Sequence, residues 1–145
     1  MGQLYLKGNQ MSDQSMLSLP DLARSITEVA ALEGEFVLRS GQVSNRYFDK
    51  YRFEGRPHLL RPLAKAMSDL LPPETEIIAG LELGGVPLVT ALSLHTGLPA
   101  AFVRKEAKSY GTCQAIEGQD VAGKKVTFIE DVISTGGAVA DAHQL

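Results

Sequence analysis

Apolar residues recur along the chain with two periods, and the switch between them lays out the fold. Leu22, Ile26, Val29 and Ala30 sit at helical spacing behind Ser18-Leu19-Pro20-Asp21, a helix cap followed by a first-turn proline. Gly34 is expected to stop that helix. Residues 35–39 and 44–53 then read as two extended segments around Ser40-Gly41, a small β hood. Pro57 opens a second helix with Pro62 near its first turn. Leu59, Leu60, Leu63, Met67, Leu70 and Leu71 form its apolar face, and Pro72-Pro73 ends it.

Short apolar runs follow. Residues 76–80 read as a buried strand, 81–85 as a glycine-containing loop, and a helix runs from Pro87 until Gly97 closes it. Residues 100–104 and 126–129 are two further strands. Residues 105–125 between them are rich in glycine and charge with no apolar periodicity, a span long enough to be functional or mobile. Strands separated by helices predict an α/β fold, a parallel sheet flanked by helices with right-handed crossovers. Ligands bind at the carboxyl ends of such strands, so loops 81–85, 105–111 and 130–137 are expected to converge on one site.

Composition narrows this picture. A chain of 145 residues is expected to form one domain. The net charge of -3, with 44% hydrophobic and 21% charged residues, suggests a soluble protein and no nucleic-acid partner. The single cysteine, Cys113, forms no internal disulfide, and the apolar runs are too short to span a bilayer, so a reducing cytoplasm is expected. Residues 1–10 lack the features of a signal peptide, Met11 is an equally good start, and residues 1–18 receive no role. His58, His95 and His143 have no ligand-like spacing.

The chemistry concentrates in residues 126–139. Four strand-forming residues lead into Glu130 and Asp131, and the turn Ser134-Thr135-Gly136-Gly137 then leads into a helix that begins near Gly137. A helix start with unpaired N–H groups suits a phosphate, the glycines allow close approach, and the hydroxyls add donors. The two carboxylates would repel that phosphate, so they must serve ribose hydroxyls or a magnesium shell. A sugar phosphate is implied. Neither a Gly-x-x-x-x-Gly-Lys-Ser/Thr loop nor a Gly-x-Gly-x-x-Gly fingerprint occurs.

This stretch resembles the 5-phosphoribosyl-1-pyrophosphate (PRPP) signature of type I phosphoribosyltransferases. From about Leu22 onward the chain is similar to orotate phosphoribosyltransferases. That likeness rests on Leu38-Arg39-Ser40-Gly41 with Tyr47-Phe48-Asp49-Lys50, on residues 80–87 (Gly-Leu-Glu-Leu-Gly-Gly-Val-Pro), and on residues 103–111 (Val-Arg-Lys-Glu-Ala-Lys-Ser-Tyr-Gly). It implies a type I phosphoribosyltransferase fold and transfer of ribose 5-phosphate from PRPP to N1 of orotate with Mg2+, completed across a homodimer. The implied catalytic residues are Lys105, Lys108 and Asp131. Arg104, Lys105, Lys108 and Tyr110, with the backbone of Leu83, Gly84 and Gly85, would hold the pyrophosphate. Glu130, Asp131, Ser134, Thr135, Gly136, Gly137 and Ala138 would hold the phosphoribosyl group, and Arg39, Phe48 and Ser134 the orotate. Mg2+ would ride mainly on PRPP, with Glu130 and Asp131 reaching it at most through water.

The pattern departs from the family in three places. Ser109-Tyr110 stand where many members have an acid and a histidine, and Gly84 stands where some carry a lysine. The family continues beyond the position of Leu145 with more of the last helix, another strand and an arginine-containing segment, so the resemblance implies a shortened member. The alternatives are another PRPP-dependent base phosphoribosyltransferase, or a PRPP-binding regulatory or inactive domain on the same fold.

Overall fold

The computed structural model describes residues 17–38, 40–107, 109, 114–133 and 135–145. Helix α1 (Leu19–Ala30) starts as its sequence dictates, with the Ser18 hydroxyl accepting the Asp21 N–H at 3.3 Å and Pro20 in the first turn. Its stripe of Leu22, Ile26, Val29 and Ala30 faces the core. Strand β1 (Ala31–Val37) begins directly after Ala30, so Gly34 lies inside a strand and does not stop the helix. β1 pairs antiparallel with β2 (Val43–Phe48), Ala31 opposite Phe48, and this ribbon is the expected hood.

Extended structure ends at Phe48, which corrects the reading of residues 44–53. Residues Tyr51–Glu54 form a short helix, α2, which buries Phe53 and Glu54. Burial of Phe53 beside Leu22 and Leu59 gives α2 its place against α1 and α3. Helix α3 (Pro57–Ser68) contains Pro62 in its second turn, later than the sequence suggests, and Leu59, Leu60, Leu63 and Met67 pack inward. The helix ends at Ser68, well before Pro72. The Leu70 and Leu71 N–H groups bond back to Met67 and Ser68, tightening the turn so that Leu71 packs inward and Leu70 is exposed.

The sheet has strands β3 (Ile77–Leu81), β4 (Ala100–Val103), β5 (Ile116–Gly118) and β6 (Val126–Ile129) in the order β5-β4-β3-β6. β3 pairs parallel with both β4 and β6, as the alternation of strands and helices predicts. β5 adds an antiparallel edge to β4, so the sheet is mixed and residues 105–125 contain a strand. Its three residues are too few for an alternating pattern to register in the sequence.

Helix α4 (Gly85–Thr96) starts two residues before Pro87 and ends at Gly97, whose φ of 77° is left-handed. It packs hard on β3: a side chain at Gly80 would meet the Gly85 carbonyl oxygen at 2.5 Å and Val89 Cγ1 at 2.6 Å. Alternation along β3 divides the core. Ile78 joins Leu22, Phe53, Leu59, Leu88, Val89 and Leu92 on one face, while Ile77, Ala79 and Leu81 join Ala101, Val103 and, from helix α5 (Gly137–His143), Ala142 on the other. The parallel pairing brings the carboxyl ends of β3, β4 and β6 to the same side of the sheet. No helix of the described residues is long and apolar enough to cross a membrane.

Candidate active site

The three strand-end loops meet at their roots. The Glu82 N–H donates to the Val103 carbonyl at 2.8 Å, and the Glu82 carboxylate accepts the Lys105 N–H at 2.8 Å, which ties the loop after β3 to the loop after β4. The peptide bond between Glu82 and Leu83 is cis. Gly84 and Gly85 are buried, whereas the Leu83 side chain is exposed. A side chain at Gly85 would lie 2.6 Å from the Ile129 carbonyl oxygen, and one at Gly84 would overlap the Asp131 carboxylate. The loop after β3 therefore presses on the end of β6, and glycine at 84 leaves the space that Asp131 fills.

Asp131 is the centre of this cluster. Its side chain keeps only 4% of its exposure and forms an ion pair with Lys50, which the end of the hood delivers to the site. Glu130, half-buried, accepts the Asp131 N–H at 3.3 Å. Burial acts to raise the Asp131 pKa, but its hydrogen bonds with Glu130 and Lys50 and the Lys50 charge outweigh it and hold that carboxyl below its ordinary range. Burial, together with the hydrogen bond and charge of Asp131, pushes Glu130 up. The pair is thus divided into one firmly ionised acid and one that holds its proton more readily.

Glu54 lies next to this pair and is 5% exposed. Neither of its carboxylate oxygens has a hydrogen-bond partner among the described residues. Burial, then the negative charge of Asp131, pushes its pKa up to about 7, against the opposing pull of Lys50. Lys50 itself is raised: burial disfavours its charge, but the hydrogen bond and charge of Asp131 win.

The turn before α5 leads into a helix that starts where the sequence places it, near Gly137. Gly136 has a left-handed φ of 76°, α5 starts at Gly137, and the Thr135 hydroxyl accepts the Gly137 N–H at 3.3 Å. Ala138 is exposed in the first turn, where helix N–H groups have no intrahelical acceptor. In the basic loop Arg104 is half-buried, with its backbone N–H on the Ala115 carbonyl at 2.8 Å and its Nε on the Glu106 carbonyl at 3.3 Å. Lys105 is exposed. Phe48 is 51% exposed, its ring 6.3 Å from that of Phe53, so it is not a core residue. Arg39, Lys108, Tyr110 and Ser134 lie outside the described residues.

Sequence reasoning gave no role to Lys50, Glu54 or Glu82. The signal for the first two was an oppositely charged pair four residues apart, with the acid next to an apolar Phe53. Among the described residues no group of three or more His, Cys, Asp or Glu is arranged to hold a metal ion. With Asp131 engaged by Lys50, the donors fit a cation carried by a phosphorylated ligand better than one caged by protein.

No family model matches the chain. The chain is 59% identical over 121 residues to an orotate phosphoribosyltransferase of Nocardioides sp., covering 83% of this chain and 68% of that protein. It is 46% identical over 122 residues to an orotate phosphoribosyltransferase of Methanopyrus kandleri, covering 83% and 66% of the two chains. In structure it resembles the Mycobacterium tuberculosis orotate phosphoribosyltransferase complexed with Fe(III) dicitrate, with a TM-score of 0.73 and 30% identity over 84% of this chain and 72% of that one. The same enzyme complexed with PRPP superposes with a TM-score of 0.69 and 26% identity, over 85% and 70%. The fold extends to adenine phosphoribosyltransferase of Saccharomyces cerevisiae, with a TM-score of 0.66 at 24% identity over 88% and 80%. A type I phosphoribosyltransferase fold, strand-end loops joined around an acid pair and these relatives lead to one assignment: the chain belongs to the orotate phosphoribosyltransferase family.

Proposed function

We propose that this chain transfers the 5-phosphoribosyl group of PRPP to N1 of orotate, giving orotidine 5'-phosphate and pyrophosphate in pyrimidine biosynthesis. The observation that carries this reading is the convergence of the loops after β3, β4 and β6, through the Lys105 N–H on Glu82 and Asp131 against Gly84. That arrangement supports a site built from the turn before α5, the two acids and the cationic loop.

The proposed roles follow from charge. The 5-phosphate sits on the turn of Ser134, Thr135, Gly136, Gly137 and Ala138, where free N–H groups and hydroxyls donate to it. Glu130 and Asp131 receive the ribose hydroxyls and favour the positive charge that builds on the sugar as the glycosidic bond breaks. Arg104, Lys105, Lys108 and Tyr110, with the backbone of Leu83, Gly84 and Gly85, hold the leaving pyrophosphate, whose negative charge grows in that step. Closure of the loop that bears Lys105 and Lys108 excludes water that would otherwise hydrolyse PRPP. Phe48 and Arg39 in the hood, with Ser134, position orotate, the guanidinium on its carboxylate. Mg2+ bound to PRPP would neutralise phosphate charge, with Glu130 and Asp131 in reach of its waters. The chain is read as a single cytoplasmic domain working as a homodimer, and exposed Val37, Val43, Val132 and Ile133 offer apolar surface for a partner copy.

The test is pyrophosphate release from PRPP and Mg2+ with orotate or adenine as acceptor, beside Lys105→Ala and Asp131→Asn. Orotate-dependent release that is lost in both variants supports the reading. Release with adenine makes the chain a different base transferase, and PRPP binding with no base consumed makes it a binding domain.

A further inference from the structure

We propose that Lys50 is a positioning residue for Asp131, its ammonium paired with Asp131 and within reach of the charge of the buried Glu54. The proposal rests on the transferase reading above and adds a residue that the reaction does not touch directly.

The geometry leaves Asp131 little freedom. Gly84 closes one side of its carboxylate, and Lys50 holds it from the hood. Lys50 precedes α2, and its carbonyl accepts the Glu54 N–H at 3.1 Å, so the two side chains start one helical turn apart. Glu54 is buried with both oxygens unpartnered among the described residues, a costly position for a carboxylate without a nearby cation. The charged groups acting on Glu54 are Asp131, Asp49 and Lys50, and Lys50 is the cation among them. The Lys50 ammonium also lies 5.2 Å from the centre of the Tyr51 ring, which limits where it can go.

The arrangement has a direct consequence for binding. A carboxylate that must accept ribose hydroxyls has to loosen its own ion pair, and a partly buried ammonium left without an acidic neighbour would oppose that change. Glu54 gives the ammonium a second acidic neighbour, so Asp131 can turn toward the sugar while the charge stays compensated. Lys50 thus acts through Asp131 and couples the hood to the ribose site.

The experiment is a double-mutant cycle on PRPP affinity, measured by calorimetry with Mg2+ present, and on kcat and KM with orotate. It uses Lys50→Met, Lys50→Arg, Asp131→Asn and the Met/Asn double variant, with Glu54→Gln alongside and thermal melting as the control for folding. Lys50→Met is expected to weaken PRPP binding about tenfold in the native background and less than about twofold beside Asp131→Asn. Lys50→Arg is expected to restore most of the loss, and Glu54→Gln to weaken PRPP binding about threefold. Equal costs of Lys50→Met in both backgrounds, or no effect on PRPP affinity, would overturn the proposal. Should Lys50→Met fail to fold, the same cycle with Lys50→Gln, which also removes the charge, decides it, coupling to Asp131→Asn supporting the role and strict additivity removing it. If the native chain binds PRPP but consumes no base, the transferase reading fails while the affinity cycle still decides the role of Lys50.

Discussion

The Asp131 carboxylate occupies the space where a side chain at Gly84 would begin. Two loops that leave different strands are locked together by the absence of one Cβ. Gly84→Ala is therefore expected to displace Asp131 from Lys50 and to destabilise the fold by about 1–3 kcal/mol, the usual cost of overpacking. Chemical unfolding checks the magnitude. The cost should largely vanish when Asp131→Ala is added, because the colliding group is then gone.

Glu54 gives stability a distinctive pH dependence. Its pKa rises from 4.5 to about 7 on folding, so between those values the folded protein binds the proton more tightly than the unfolded chain. Its contribution is fully present below the unfolded value, falls as pH rises toward 7 and levels off above it. Urea midpoints measured at about pH 5 and about pH 8 should show Glu54→Gln gaining on the native protein at the higher pH. Asp131, whose pKa is lowered, works in the opposite sense: its contribution is present above the ordinary carboxylate value and disappears in acid.

The Glu82 carboxylate is the tie between the loop after β3 and the backbone of Lys105. Glu82→Ala should cost about 1 kcal/mol of stability and speed hydrogen exchange at the Lys105 amide. Activity should fall further than stability, because the loop that carries Lys105 loses its anchor.

Phe48 is half-exposed and packs at the edge of Phe53. Phe48→Ala is expected to change the melting temperature little while raising KM for orotate about tenfold, roughly the effect of losing one ring contact with a base. An unchanged KM would mean that the orotate ring lies elsewhere.

The legible part of this protein was the part with long patterns. The apolar runs read as strands at 76–80, 100–104 and 126–129 lie within a residue of the observed strands, and their alternation with helices gave the parallel core of the sheet. The acid pair and the turn at Thr135 and Gly136 were visible because two adjacent carboxylates followed by a Ser-Thr-Gly-Gly turn are an unusual local pattern. Short elements were not legible. β5 has three residues and α2 has four, too few for either period to appear. Leu70 satisfied the helical pattern in sequence, yet a tightened last turn put it in solvent. Lys50 was missed because its partner, Asp131, lies far away in the chain, and Glu54 because only the fold buries it beside that pair; an opposite charge four residues off was the one local sign.

The most direct test of the account is amide hydrogen exchange of the whole chain with and without PRPP and Mg2+, since the central claim is that three strand-end loops build one site. The account predicts that amides near residues 84–86, at Lys105 and across 130–138 slow together on adding PRPP, and that Asp131→Asn weakens the protection at all three. Protection confined to a single loop, or none at any of them, would contradict it.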